Sequence, residues 1–389
     1  MKKLSVLFIG LLAVLTASAG DIKFVTGLTW KQIKEKAARE KKMIFFDAYA
    51  TWCGPCKYLE SSVYTDDAVA KFYNDNFINV KFDMEEGEGV TLSETFAITS
   101  YPTLMFFAAD GKMVHKYIGA MEAPEFISLG RLARDPATQY YTLKEKVKSG
   151  KATDEDFSHW ISNAQDLDDD DRVEISQQFL QTRPDLFASK DLLLAVMSYA
   201  RLNSAAQLEQ LLNARAKIKT MLEWDDQHLD AALYRKTFLY ALYQSGDDLN
   251  HEKFMGIIKK YYPSRVTYAE HELSLVAAIV GEDADKMKTV YHSMLAGSKK
   301  LPIEQSSQLY LEYLESLEDT VHESLIPLLT NYKFSPAEKG KEGWLYLMQT
   351  ISYSQLNEVA KAKEAAIKAY NHPCVPQEYK DILKSSYEL

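Results

Sequence analysis

A pair of cysteines separated by two residues is the feature that most constrains this chain. Cys53 and Cys56 stand in the pentapeptide WCGPC, shortly after the β-rich run MIFFDAY at residues 43–49. The residues from Pro55 onward have a helical composition. The motif is therefore predicted to lie where a buried strand gives way to a helix. At this spacing, two cysteines at a helix start can close a small disulfide.

The predicted helix start also favours redox chemistry at the pair. A helix N-terminus carries a partial positive charge, which stabilises the thiolate that attacks disulfides. Pro55 suits a first-turn position, where no backbone donor is needed. A structural disulfide and half of a zinc site are the alternatives, but zinc needs two further ligands and the chain has only three cysteines. Trp52 and the Gly54-Pro55 centre favour the redox interpretation, and we expect neither a metal nor another cofactor.

The N-terminus is typical of a secretory signal peptide. Lys2 and Lys3 form a basic start, residues 4–15 carry no charge, and Ala17-Ser18-Ala19 is a small-x-small cleavage site. The alternative is a membrane anchor, but the apolar run is several residues short of the roughly 20 that a membrane span needs. We expect residues 1–19 to be removed near Ala19 and the remaining chain to be exported.

Two regions follow the signal. Residues 20–134 alternate strand-like and helix-like patterns, in the order α-β-α-β-α-β-β-α, which predicts a mixed central sheet flanked by helices. The predicted helices include one over residues 55–64 and a short one over residues 92–96. Residues 135–389 contain few β-rich runs and many helical patterns separated by Pro and Gly breaks, which predicts an all-helical domain. Tyr346, Tyr353 and Ala362 fit one tetratricopeptide-like unit, so degenerate helical repeats and an irregular bundle both stay open.

Composition excludes one class of partner. The net charge is −10, so the chain lacks the basic footprint of a general nucleic-acid binder, and we expect no nucleic-acid partner. The hydrophobic fraction of 47% is sufficient for the cores of two or three domains. The sequence does not decide the oligomeric state.

The motif and its context resemble the thioredoxin family. The hexapeptide WCGPCK, through Lys57, is the thioredoxin sequence, and the predicted strand order of residues 20–134 matches. The stretch CKYLESSVYT from Cys56 is also similar to the C-terminal domain of transmembrane thiol:disulfide interchange proteins. The resemblance implies a thioredoxin fold and thiol–disulfide oxidoreductase activity.

The resemblance also implies roles for individual residues. Cys53 matches the nucleophilic, more exposed cysteine, and Cys56 matches the buried resolving cysteine with which it forms the redox-active disulfide. Asp47 matches a buried acid, whose pKa burial should raise and which could shuttle a proton to or from Cys56. Lys81 resembles the lysine that pairs with that acid.

The substrate-binding surface is implied in the same way. Tyr101-Pro102 matches the family proline before the third strand, which is cis in the family and holds an extended peptide by strand-like hydrogen bonds. Trp52, Gly54 and Pro55 complete this surface. Thioredoxin itself usually has a small aliphatic residue where this chain has Tyr101. The acidic segment at residues 85–89 is interpreted as a solvated loop, with a rim of the site as the alternative.

These expectations combine into a function. We expect a periplasmic reductase that acts on client proteins with disulfides and receives its electrons from a membrane electron donor. The first alternative is an oxidase or isomerase in the same compartment. The second is a helical partner-binding protein that uses its thioredoxin domain for docking. Cys374 is interpreted as a structural thiol, with a regulatory or intermolecular role as the alternative.

Overall fold

The computed structural model describes residues 20–167, 169–243 and 251–389. The predicted signal peptide at residues 1–19 lies outside the described residues. The chain divides into two compact units, Met1–Lys236 and Thr237–Leu389. The boundary expected after residue 134 falls inside the first unit, and the division at that residue stays a prediction.

The first unit begins with an α/β segment. Its elements, in chain order, are α1 (Trp30–Glu40), β1 (Met43–Tyr49), α2 (Gly54–Tyr58), a π-helical turn (Leu59–Val63), α3 (Asp67–Asn76), β2 (Phe77–Asp83), α4 (Glu88–Thr95), β3 (Thr103–Phe107), β4 (Met113–Ile118) and α5 (Ala123–Arg134). The predicted order of strands and helices is confirmed.

The four strands form one mixed sheet in the order β2-β1-β3-β4. Strand β1 pairs in parallel with β2 and antiparallel with β3, and β3 and β4 form an antiparallel hairpin. The five residues in the middle of β1 are all buried. A strand buried on both faces has to be almost entirely apolar, which explains the run of Ile, Phe and Ala around Asp47.

Side chains of β1 alternate between two apolar layers. Ile44 and Phe46 pack with Trp30 and other residues of the layer on one face of the sheet. Phe45 packs into the opposite layer with Leu59 and other side chains from the helices on that side. Because strand side chains alternate with a period of two, Asp47 belongs to the face of Phe45.

The helix after the cysteines departs from the prediction. A single helix is expected over residues 55–64, but α2 ends at Tyr58 and a π-helical turn follows. The backbone N–H of Tyr64 donates to the carbonyl oxygen of Leu59, five residues earlier, at 2.8 Å. Leu59, Val63 and Tyr64 are all buried, so the wider turn brings their side chains into one core.

Helix α4 also departs from the prediction. A short helix is expected over residues 92–96, but α4 runs from Glu88 to Thr95. The Glu88 carboxylate accepts the backbone N–H of Trp30 at 3.0 and 3.2 Å, which ties the start of α4 to the start of α1. This long-range bond between two helix starts is not visible in a local sequence pattern.

The helical part of the chain starts against the sheet. The helices that follow α5 are α6 (Tyr140–Lys148), α7 (Asp154–Asp166), α8 (Arg172–Gln181), α9 (Lys190–Ser198), α10 (Ala205–Asn213), α11 (Arg215–Leu222) and α12 (Asp226–Tyr243). The backbone N–H of Tyr140 donates to Nδ1 of the buried His115 on β4 at 3.1 Å. Helix α6 therefore packs against β4, the edge strand of the sheet. Unpaired backbone N–H and C=O groups on an exposed edge strand can pair with another chain, and a covering helix opposes this.

The regular elements of the second unit are all helices within its described residues. After the end of α12, its helices are α13 (His251–Tyr261), α14 (Val266–Val280), α15 (Ala284–Ala296), α16 (Ile303–Glu312), α17 (Asp319–Thr330), α18 (Glu342–Gln355), α19 (Val359–Tyr370) and α20 (Gln377–Tyr387), with short 3₁₀ turns at Pro263–Arg265, Leu314–Ser316 and Pro336–Glu338. The fold class is confirmed, and the choice between degenerate repeats and an irregular bundle stays a prediction. No helix in the described ranges is long and apolar enough to cross a membrane.

Gly89 yields a test of how α4 is placed. A Cβ atom at Gly89 would overlap the carbonyl oxygen of Asp83 and lie 3.1 Å from the Cα of Met84. We expect Gly89→Ala to lower the free energy of unfolding by about 1 to 3 kcal/mol. The atoms that the new methyl group would meet belong to the backbone, which cannot move aside as the end of a flexible side chain can. Urea unfolding measures the change.

Gly256→Ala is the control for this substitution. Gly256 lies in α13 with open space around its Cα. We expect Ala there to stabilise the helix by up to about 1 kcal/mol, because Ala has the higher helix propensity. Equal effects of the two substitutions would show that α4 does not pack as described.

Candidate active site

The two cysteines of the motif are joined at the start of α2. The Cys53–Cys56 disulfide has an S–S distance of 2.01 Å and a Cα–Cα distance of 5.3 Å. Cys53 is the N-cap residue, and its Sγ accepts the backbone N–H of Cys56 at 3.1 Å. Pro55 lies in the first turn, as predicted. An N–H donor and the positive end of a helix both stabilise negative charge on the Cys53 sulfur.

The expected difference in exposure between the cysteines is wrong for this disulfide form. Cys53 is 2% exposed and Cys56 is 6% exposed. Both belong to a small cluster with Ala50, and the rings of Tyr49 and Tyr101 pack against that cluster. Tyr101 is half-buried and lies where thioredoxin usually has a small aliphatic residue.

Trp52 is an exposed aromatic residue beside the disulfide. The residue is 66% exposed, and its ring lies 5.9 Å from the ring of Tyr101, edge to face. The indole N–H donates to both carboxylate oxygens of Glu85, at 2.9 and 3.0 Å. The backbone N–H of Glu85 in turn donates to Oδ1 of Asp83 at 2.9 Å. This chain of bonds orients an exposed aromatic ring next to the reactive pair.

The remaining predicted contact residues lie beside the motif and at the start of β3. Gly54 and Pro55 are exposed between the cysteines. The Tyr101–Pro102 peptide bond is cis, and Pro102 is buried. The carbonyl oxygen of Pro102 accepts the backbone N–H of Gly119 at 2.9 Å.

Asp47 lies in the interior beneath the motif. Its side chain is buried, Oδ2 accepts a hydrogen bond from the Tyr64 hydroxyl at 2.9 Å, and Oδ1 has no hydrogen-bond partner among the described residues. Burial raises the pKa of Asp47 to about 7, against the opposing effects of the Tyr64 hydrogen bond and the Lys81 charge. Loss of hydration destabilises the carboxylate more than the neutral acid.

The predicted ion pair between Asp47 and Lys81 is not formed. The two residues are partners in the β1–β2 register, but the Lys81 ammonium binds Oε1 of Glu60 at 2.5 Å. The same ammonium lies 5.4 Å from the ring centre of Tyr49 and 5.6 Å from that of Phe24. Glu60 lies in the π-helical turn and offers a solvent-accessible partner, so Lys81 avoids the desolvation that a buried pair would cost. Lys81 acts on Asp47 through its charge alone.

One site residue, Tyr64, is not identified by the sequence analysis. Tyr64 contacts Asp47 across seventeen positions of sequence, and its only sequence signal is its place at the end of an apolar helical run. Glu85 belongs to the acidic segment that the sequence analysis treats as a solvated loop or a rim of the site, and it contacts Trp52 across thirty-three positions.

Outside the cysteine pair, the described residues hold one free thiol and no metal-binding cluster. No group of three or more His, Cys, Asp and Glu side chains within residues 20–167, 169–243 and 251–389 is placed to hold a metal ion. Cys374 is a free, half-buried thiol that packs against the core of the second unit. A structural or a regulatory role for Cys374 stays a prediction.

A cysteine pair at a helix N-terminus, on a mixed sheet that carries a buried acid, defines a thiol–disulfide oxidoreductase. The family model described as Thioredoxin matches residues 24–129. Thioredoxin-1 of Drosophila melanogaster is 35% identical over 89 residues, which are 23% of this chain and 78% of that protein. Thioredoxin of Echinococcus granulosus is 39% identical over 89 residues, 23% of this chain and 77% of that protein. The chain belongs to the thioredoxin family.

A solved structure from Bacteroides thetaiotaomicron, described as that of a candidate disulphide-isomerase, is also similar. Its sequence is 40% identical to this chain over the match, which covers 30% of this chain and 96% of the chain in that structure, with a TM-score of 0.28. The matched family model covers the α/β segment, and the helices after α5 lie outside it.

The raised pKa of Asp47 predicts a dependence of stability on pH. An aspartate has a pKa of about 3.9 in the unfolded chain, so the folded protein binds more protons between about pH 4 and pH 7. Stability therefore falls as pH rises through that window, and it stays low above pH 7. We expect Asp47→Asn to be more stable than the wild type at pH 8, by about 2 to 4 kcal/mol, and nearly equal at pH 4. Urea unfolding of the oxidised protein at both pH values measures this.

Asp110→Asn is the control for this prediction. Asp110 is an exposed acid in the turn between β3 and β4, and its Oδ1 accepts the backbone N–H of Lys112 at 2.9 Å. Asn preserves that acceptor, so this variant should follow the wild-type pH dependence. The same pH dependence in wild type and Asp47→Asn would rule out a buried acid with a raised pKa.

Proposed function

We propose that the protein is an exported protein-disulfide reductase that acts on disulfides in envelope proteins. The observation that carries the proposal is the Cys53–Cys56 disulfide at the start of α2, on the same short segment as the exposed Trp52. The Gly-Pro centre of the motif, which this chain shares with thioredoxin, favours the reducing direction. Thioredoxins act on disulfide-bearing substrates, and they have reduction potentials of about −270 mV.

The proposed reaction moves two electrons from the cysteine pair to the client. The Cys53 thiolate attacks one sulfur of the client disulfide, forms a mixed disulfide and releases the first client thiolate. Cys56 then loses its proton, its thiolate attacks the Cys53 sulfur, and the second client thiolate leaves. The protein ends with the Cys53–Cys56 disulfide, and the client ends with two thiols once its thiolates have taken up two protons.

Asp47 is the proposed proton acceptor for Cys56. A group with a pKa of about 7 exists in comparable amounts as acid and base at neutral pH, so it can both take up and return a proton. In the reducing direction, the carboxylate takes the Cys56 proton as the thiolate forms. The neutral acid then returns the proton, through water, to the departing client thiolate.

Clients are proposed to bind at the surface formed by Trp52, Gly54, Pro55, Tyr101 and Pro102. The first three are exposed, and the Trp52 ring is oriented by Glu85. An exposed aromatic ring held by a hydrogen bond offers apolar contact at a low cost in conformational entropy. The helices after α5 are proposed to select or hold partners.

Export determines the source of electrons in this proposal. The basic start, uncharged run and small-x-small site of residues 1–19 support removal of the signal near Ala19 and release into the periplasm. Cytoplasmic reductases cannot reach a protein there. We therefore propose a membrane electron donor that reduces the Cys53–Cys56 disulfide after each cycle.

The reduction potential of the cysteine pair tests the reducing direction. We expect the mature protein, equilibrated in dithiothreitol or glutathione buffers, to give a value close to about −270 mV. A value near those of oxidising catalysts, about −180 to −120 mV, would contradict the proposal and favour an oxidase or isomerase.

Cys53→Ser is the control for this measurement and for the helical alternative. The variant should show no two-electron transition and no reduction of a client disulfide. If cells that carry Cys53→Ser keep the biological role of the protein, the chain acts as a helical partner-binding protein and the reductase proposal is wrong.

Export has a separate test. We expect the full chain, expressed in a bacterium with a periplasm, to appear in the periplasmic fraction with an N-terminus close to Gly20. A variant without residues 2–19 should stay in the cytoplasm. Recovery of the full-length chain from the membrane fraction would instead support an uncleaved anchor.

A further inference from the structure

We propose that Tyr64 is a positioning residue for Asp47, because its hydroxyl occupies Oδ2 and so leaves Oδ1 as the oxygen that exchanges the proton. The inference rests on the proposed function, which gives Asp47 its part in the reaction. Tyr64 itself does not touch the reacting sulfur atoms in this proposal.

The hydrogen bond is formed entirely inside the core. The Tyr64 hydroxyl lies 2.9 Å from Oδ2 of Asp47, and each residue is only 3% exposed. Within residues 20–167, 169–243 and 251–389, this is the one hydrogen bond to the carboxyl group, and Oδ1 is buried without a partner. A buried carboxylate oxygen without a hydrogen-bond partner is destabilised. This is the property expected of an oxygen that binds a proton readily.

The direction of the bond follows from the chemistry of the two groups. Burial and the nearby Asp47 hold the pKa of Tyr64 well above its ordinary value, so the phenol keeps its proton throughout the range in which Asp47 titrates. Tyr64 is therefore the donor and Oδ2 the acceptor. When the carboxyl group is neutral, its own proton belongs on Oδ1.

The phenol ring is held in one orientation by its neighbours. Its centre lies 5.3 Å from the ring of Phe24 and 5.5 Å from that of Phe126. The backbone of Tyr64 closes the π-helical turn onto Leu59 and accepts the N–H of Ile22 at 2.9 Å. Aromatic packing and two backbone bonds thus fix where the hydroxyl points.

The other polar groups near Asp47 act at longer range. Lys81, from β2, lowers the pKa of Asp47 by its charge, but its ammonium is paired with Glu60 of the π-helical turn. Glu60 raises that pKa by its own charge, and Tyr49 is the other titratable group on β1. On the β3 side, the register partner of Asp47 is the apolar Leu104. Tyr64 therefore provides the direct stabilisation of the carboxylate.

This stabilisation limits the effect of burial. Burial raises the pKa of Asp47, and the Tyr64 bond opposes that rise by favouring the charged form. Without the hydroxyl, less carboxylate would exist at neutral pH, and Cys56 would lose its proton acceptor during the second step. That step transfers the Cys56 proton to Oδ1 while the Cys56 sulfur bonds to Cys53 and the client thiolate leaves.

Tyr64→Phe tests the proposal because it removes the hydroxyl and keeps the ring. The pKa of the Asp47 carboxyl carbon is measured by carbon NMR in the oxidised full chain, where no redox activity is needed. We expect the pKa to rise by about one pH unit, a roughly tenfold change in proton affinity. The pH profile of client release from the mixed disulfide should move to higher pH by the same amount.

Tyr73→Phe is the matched control. The Tyr73 hydroxyl is also buried in this core, and it donates to the carbonyl oxygen of Phe126 at 2.7 Å. Its loss removes one buried hydrogen bond, as Tyr64→Phe does, but Tyr73 does not hydrogen-bond to Asp47. We expect Tyr73→Phe to leave both the Asp47 pKa and the pH profile unchanged.

Three results would overturn the proposal. The first is an Asp47 pKa that does not change in Tyr64→Phe, and the second is an equal change in Tyr73→Phe. The third is a raised pKa with an unshifted pH profile, which would show that the bond exists but does not position the proton. If the wild type reduces no disulfide, the proposed function fails instead, and the NMR measurement still shows whether Tyr64 holds the carboxylate.

Discussion

Burial of strand β1 on both faces is the constraint on which the site depends. The strand lies between β2 and β3, and five consecutive residues of it are buried. It ends just before the loop that carries the cysteines, so the packing of β1 places the start of α2. It also brings Asp47 into the interior on the same face as the helices that follow the motif. One buried strand thus positions both the cysteine pair and Asp47, the proposed proton acceptor.

Burial of Asp47 has opposite effects on the stability of the fold and on proton exchange. Removing Asp47 from water reduces the stability of the fold at neutral and alkaline pH, yet the same burial brings its pKa to about 7, where it can exchange protons. Tyr64 moderates this conflict by donating to one oxygen of the carboxylate. Lys81 contributes only charge, since its ammonium binds the more accessible Glu60. Reactive sites commonly lower the stability of the fold that carries them.

Local patterns predicted much of the fold and part of the site. Alternating strand and helix signals located the four strands, because each is short, apolar and bounded by turn or helix residues. The predictions failed where contacts between distant segments decide the backbone. Helix α4 begins at Glu88, which bonds to the start of α1, and the helix after the cysteines widens into a π-helical turn. Helix α6, which follows residue 134, packs on β4. The domain division expected at that residue stays a prediction.

The sequence alone determined the spacing of the cysteine pair and the order of strands and helices, since spacing and apolar patterns carry that information locally. The buried acid at Asp47 was implied by the resemblance to the thioredoxin family. Only the tertiary structure decided which groups meet at Asp47. In an α-helix, which has about 3.6 residues per turn, Tyr64 would lie about 140° around the helix axis from Leu59. The π-helical turn places both in the same core and brings the phenol to Oδ2. This change from an α-helix to a π-helical turn depends on how the side chains of a whole layer pack, so a local sequence pattern does not predict it.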